Sequence, residues 1–139
     1  MAEYIKDGDK IIAIIIKADH YKQGIEFFTP EDFSQQLAYM NHPAGHKITP
    51  HLHNEIHRDV FYTQEVLFIK RGKVKITLYD EYQRFLKYTI LKSGDVILLA
   101  SGGHGFEMLE ESEMIEVKQG PYTGDQDKTR FNITNEKFE

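Results

Sequence analysis

The sequence predicts an all-β fold, a sandwich or barrel of short antiparallel strands, and three observations carry this. Short runs rich in β-branched and aromatic residues recur along the chain, each ended by Gly, Pro, Asn or Asp. Residues 73–79 alternate cleanly, with Val74, Ile76 and Leu78 on one side and Lys73, Lys75 and Thr77 on the other. No apolar stripe at the i, i+3, i+4, i+7 spacing of an amphipathic helix runs over three turns.

Residues 11–16 (IIAIII) are apolar in succession, which is the pattern of a strand buried on both faces. Residues 25–28 (IEFF) form a second short strand, ended by Thr29-Pro30. Residues 31–34 make one helical turn or a loop, 36–40 another strand, and 41–45 (NHPAG) a turn. His51 and His53 are placed on a strand, followed by a polar, irregular stretch from Asn54. Residues 65–71 and 73–79 form a hairpin about Gly72, and 85–91 return after a turn at Asp80-Glu81. Ser93-Gly94-Asp95 turns the chain into a buried strand, 96–99. Strands resume at 106–109 and 114–118, and 119–139 read as a loop and polar tail with Phe131 and Ile133 docking back.

The chain has 139 residues, enough for one domain with an ordinary core, and is 40% hydrophobic and 28% charged. A net charge of −5 argues against nonspecific binding to nucleic acid, because no basic excess exists to neutralise phosphates. The absence of cysteine excludes disulfides, thiolate zinc sites and cysteine nucleophiles. The N-terminal MAEYIKDGDK lacks a signal-peptide layout and no apolar run is long enough to cross a bilayer, so a cytoplasmic protein is expected. The basic cluster Lys70, Arg71, Lys73 and Lys75 reads as a solvated sheet edge.

The chemistry-bearing residues concentrate in two stretches. In 45–72, His51 and His53 stand two apart, so on a strand both imidazoles share a face, and Glu65 opens the next apolar run. In 94–108, His104 lies among Gly102, Gly103 and Gly105. Three imidazoles and a carboxylate arriving from separate strands suit a divalent transition metal such as Fe, Mn, Ni, Co or Zn. The carboxylate has rivals: Glu55 makes a His53-x-Glu55 facial triad with His104, and His57 lies in the same stretch.

The spacing Gly45-x5-His51-x-His53 and Glu65-x6-Gly72 resembles the first motif of the cupin superfamily, and Gly94-Asp95-Val96-Ile97-Leu98 leading to His104 resembles the second. The sequence departs from that pattern by eleven residues between His53 and Glu65, by lacking the second-motif proline, and by bringing His104 one residue early. The resemblance implies a cupin-type jelly-roll barrel (a double-stranded β-helix) over a single domain, 1–139. It also implies one divalent metal per chain, held by His51, His53, Glu65 and His104. Parity with those ligands would turn Leu67, Ile69, Ile76, Leu78, Phe106, Met108, Ile115 and Val117 inward.

The stretches HPAGHKITPHLH, TQEVLF and EVKQGPY are similar to small stand-alone cupins associated with surface-sugar metabolism. The implied activity is that of a mononuclear metalloenzyme of isomerase or epimerase type, acting on a small oxygen-rich, sugar-derived substrate. His57 and Tyr62 are then the candidate proton-transfer groups, because the inserted stretch that carries them begins directly after His53. A non-catalytic sugar or small-acid sensor and a metal-dependent dioxygenase are the alternatives. The two apolar faces of residues 11–16 point to a homodimer, with a partner chain covering one of them.

Overall fold

Ten strands, all paired antiparallel, form the regular structure of the described residues, which are 1–132 of the computed structural model. In chain order they are β1 (Glu3–Asp7), β2 (Lys10–Ile16), β3 (Gly24–Phe27), β4 (Ala38–Asn41) and β5 (Glu65–Arg71). Then follow β6 (Lys73–Tyr79), β7 (Phe85–Lys92), β8 (Val96–Leu99), β9 (Gly103–Met108) and β10 (Glu113–Lys118). A five-stranded sheet runs β1-β2-β8-β5-β10, a three-stranded sheet runs β7-β6-β9, and β3-β4 is a separate hairpin. No strand pair among the described residues joins the two larger sheets, so they do not close into a barrel by hydrogen bonding. No helix among the described residues is long and apolar enough to cross a membrane.

Cross-strand partners share a face, so register assigns each side chain to a layer. On the inner face, Ala13, Leu99 and Glu65 form one row and Ile15, Ile97 and Leu67 the next. These apolar residues pack against Val74, Ile76 and Leu78 of β6 and Leu91 of β7, the core between the two sheets. On the outer face, Ile14, Leu98 and Val66 form one row and Ile16, Val96 and Phe68 another. Phe28, Phe33, Leu37 and Tyr39, from the hairpin and the turns beside it, cover the β2–β8 part of that face.

The run 11–16 is thus buried on both faces, as its composition predicts, with Ile12 to Ile15 fully buried. Its cover comes from its own chain, which removes the reason for placing a partner chain there. The parity reading fails on β10. Lys118 pairs with Glu65 and Glu116 with Leu67, so Ile115 and Val117 lie opposite Phe68 and Val66 on the outer face. A register shift between Glu113 and Met114 accompanies this, and Met114 packs on the inner core instead. The basic cluster of the β5–β6 hairpin is matched by acids: Glu113 pairs with Arg71 at 2.9 Å and Lys70 at 3.6 Å, and Glu110 with Lys73 at 3.6 Å. Phe131 docks back edge-on to Tyr79, with ring centroids 5.2 Å apart, while Ile133 lies outside the described residues.

The turn into β8 is tied down by Asp95, which is 4% exposed. Its carboxylate accepts from the backbone N–H of Ala18 at 2.8 Å and of Lys92 at 2.7 Å, with the Lys17 ammonium at 3.6 Å. Asp95→Ala leaves two backbone donors without an acceptor, and it should cost about 3 kcal/mol in urea unfolding. Asp95→Asn, whose amide oxygen still accepts, should cost less; equal losses would show that the charge rather than the hydrogen bonding matters.

A candidate active-site cavity where the two sheets meet

Glu65 is the first residue of β5 and ends an apolar inner-face row, facing the three-stranded sheet. His104 is the second residue of β9 and stands opposite Leu78 on β6. Across the gap between the sheets, His104 Nε2 donates to Glu65 Oε1 at 2.9 Å. The two side chains are 30% and 11% exposed respectively. This hydrogen bond is the main reason the Glu65 carboxyl is held below its ordinary value of 4.5. Burial opposes it, and the positive charges of His104, Lys118 and Lys128 reinforce it. Whenever His104 is in its neutral form with the proton on Nε2, its Nδ1 carries a lone pair.

Local sequence explains how both groups are presented. Gly102 has φ +71, and a Cβ there would overlap the Tyr79 carbonyl oxygen, so glycine lets the chain hug β6 on its way into β9. Just before Glu65, Gln64 is 7% exposed and acts as a clamp. Its Oε1 accepts from Gln35 N–H at 3.1 Å and from Ser34 Oγ at 3.3 Å, and its carbonyl accepts from Gln119 N–H at 3.0 Å.

Glu65 and His104 line a cavity of about 1070 Å³. Ile11, Phe33 and Ala100 give it apolar wall, while Asp32, Gln64 and Ser101 add hydrogen-bonding groups. Lys10 and Glu81, an ion pair, stand at one part of the lining, and Tyr62 at another. Residues 127–132 close the remaining side, where Thr63 donates to Asp127 and Phe131 lies against Tyr79.

Of the residues singled out in the sequence, the structure brings together Glu65 and His104 and places Tyr62 on the same cavity. His51 and His53 lie elsewhere in character: both are exposed, with ring centroids 5.4 Å apart, and His51 Nδ1 bonds the Thr49 carbonyl at 2.8 Å. The strand expected for them does not form. Residues 42–64 have no regular structure, Pro50 lacks the N–H a ladder needs, and no neighbouring strand pairs with them. Glu55 is exposed, and His57 is exposed, bonded to Asp59 at 2.9 Å, and not part of the cavity lining. No group of three His, Asp or Glu side chains among the described residues is gathered to hold a metal ion. The four-ligand set therefore does not fit a metal in this arrangement, although two of its members touch.

Sequence reasoning missed Gln64, Asp127 and the placement of Phe131 beside the cavity. Nothing marks a buried glutamine from an exposed one in sequence, and Asp127 lies in what read as loop and polar tail, where the structure has a 3₁₀ turn, Gly124–Asp127. A lone aromatic in a polar tail was the one usable signal. Comparisons with protein-family models, with curated proteins and with solved structures find no match.

A carboxylate held below 4.5 stabilises the fold fully above that pH and loses its contribution as pH falls through the folded value. His104→Ala should thus cost about 1.5–3 kcal/mol at neutral pH, the worth of a hydrogen bond to a charged group. Its deficit against the parent chain should shrink in strongly acid solution. A deficit of the same size at both extremes would show that the pair contributes only packing.

Proposed function

We propose that the chain is a small-molecule enzyme of isomerase or epimerase type, in which His104, oriented by Glu65, moves a proton on a small oxygen-rich substrate of the sugar-derived kind. The observation that carries this reading is the carboxylate–imidazole pair on the wall of a cavity large enough for such a substrate. Nδ1 of neutral His104 takes a proton from a carbon beside a substrate carbonyl, and Glu65 stabilises the imidazolium that results. The same proton, or one from solvent, is then returned at that carbon or its neighbour, so no oxidant or reductant is consumed. Tyr62 supplies a second hydroxyl at the cavity, while the role first considered for His57 passes to His104. The mixed apolar and hydrogen-bonding lining suits a molecule rich in hydroxyls.

The two facing sheets, with Glu65 and His104 at the gap between them, also support reading the fold as a jelly roll of cupin type. A second proposal follows from that reading: a divalent metal as resident cofactor. The meeting of Glu65 and His104, 39 positions apart in sequence, favours it. His51 and His53 would have to leave their exposed segment to complete the donor set. Elemental analysis of protein made without a polyhistidine tag decides this: about one metal per chain, lost in both His51→Ala and His104→Ala, supports the metal form. Protein that stays metal-free after Fe, Mn, Ni and Zn loading leaves the acid–base pair to act alone.

The proton-transfer reading is tested by solvent deuterium exchange into keto-sugars and hydroxy acids. Exchange at carbon should fall by about 100-fold or more in His104→Gln, and by less in Glu65→Gln and Tyr62→Phe. Tight binding of such a compound with no exchange and no oxygen uptake would instead identify a binding or sensor module, and oxygen uptake a dioxygenase.

A further inference from the structure

Among the described residues, the outer face of the five-stranded sheet is only partly covered. Its apolar rows continue past Val66 and Phe68 onto β10, as Val66–Val117 and Phe68–Ile115, but the layer formed by the hairpin and its turns stops short of them. Phe68, Ile115 and Val117 remain 37%, 52% and 55% exposed. The opening is a ledge: sheet below, hairpin layer alongside as far as Val66, and no other cover over Phe68, Ile115 and Val117 among the described residues.

The same chain carries an equally unpartnered apolar segment. Within residues 42–64, Ile48, Leu52, Ile56 and Val60 are spaced four apart, so in an extended backbone they fall on one side. They are 57%, 79%, 61% and 41% exposed, and the adjoining Phe61 is 86% exposed. Pro50, Asn54 and Arg58 share that side with them, while Phe61 follows His51, His53, Glu55, His57 and Asp59 on the other, so the segment offers apolar side chains at intervals rather than one unbroken apolar face.

We propose that two copies of this chain form a symmetric dimer, in which residues 48–61 of each lie on the Phe68–Ile115–Val117 ledge of the other. A two-fold axis makes the contact twice, which lets two different patches on one chain satisfy each other reciprocally. Together the eight side chains expose on the order of 800 Å² per protomer, about what a stable interface takes from each partner. Among the described residues the ledge stays uncovered, and Ile48, Leu52, Ile56, Val60 and Phe61 stay largely in solvent, so a second copy provides the missing part of the outer layer. This contact uses no residue of β2, whose faces are already covered, and does not depend on the activity of the cavity.

The absence of native cysteine makes the test direct. Light scattering of the parent chain at micromolar concentration should give a dimer mass. Leu52→Glu, at a side chain that is mostly in solvent, and Ile115→Asp should each weaken dimerisation by about tenfold or more while circular dichroism stays that of the parent. Chains carrying Leu52→Cys, mixed with chains carrying Val117→Cys and oxidised gently, should give a mixed disulfide dimer joined between positions 52 and 117. A chain bearing both substitutions should link between copies rather than within one. A monomer at all concentrations, a dimer indifferent to Leu52→Glu, or a disulfide formed within a single chain would each overturn the proposal.

Discussion

Strands β2 and β8 are apolar on both faces, and a strand of that kind requires a layer on each side. Leaving Ile14 or Leu98 in water would forfeit about 1.5–3 kcal/mol for each side chain, a large fraction of a small domain's net stability. The inner requirement is met by β6 and β7, and the outer one by the turns and hairpin of residues 24–41. Three layers in so short a chain leave little sequence for cover elsewhere. The cover thins toward β10, the sheet edge farthest from β2.

The same constraint produces the candidate site. Glu65 follows Ile5, Ala13 and Leu99 in an inner-face row and precedes Lys118, so a carboxylate stands where the apolar part of the row ends. A charge placed there is costly unless it is hydrogen-bonded, and His104 from the opposing sheet provides the bond. The pair is then a structural tie between two sheets and, in the proposed function, also the acid–base unit. Its two roles are separable in principle. A tie needs only the Nε2 contact, whereas proton transfer needs Nδ1 open to the cavity.

What could be read from the sequence divides along physical lines. Strands whose signal lies in their own composition, 11–16, 73–79 and 96–99, appear where expected, because two-sided burial and strict alternation are local properties. The turns at Gly72 and at 93–95 are equally local, and a Cβ at Gly72 would overlap Ser112 and the Glu111 carbonyl. The pairing of Glu65 with His104 was legible only through spacing that resembles a family motif. Orientation on β10 was not legible, because a one-residue register shift exchanges the faces and leaves no mark in composition. His51 and His53 mislead for the converse reason: alternation suggests a strand, but a strand also needs a neighbour to bond, and sequence does not show whether one arrives.

Residues 42–64 also pose a mechanical problem that the structure answers. A connection this long and irregular directly before the Glu65 carboxylate would ordinarily blur the position of that carboxylate, since loops carry the least local restraint. Gln64 prevents this. Its side chain is held by residues 34 and 35 of the outer layer and its carbonyl by Gln119 just beyond β10, so the chain is immobilised one residue before Glu65. Because closure entropy grows only slowly with loop length, the segment upstream of that clamp can lengthen or change at little cost to the fold. The sequence of residues 42–63 can therefore vary while the geometry of Glu65 against His104 stays the same. The clamp separates the part of the chain that must be rigid from the part that is free to differ.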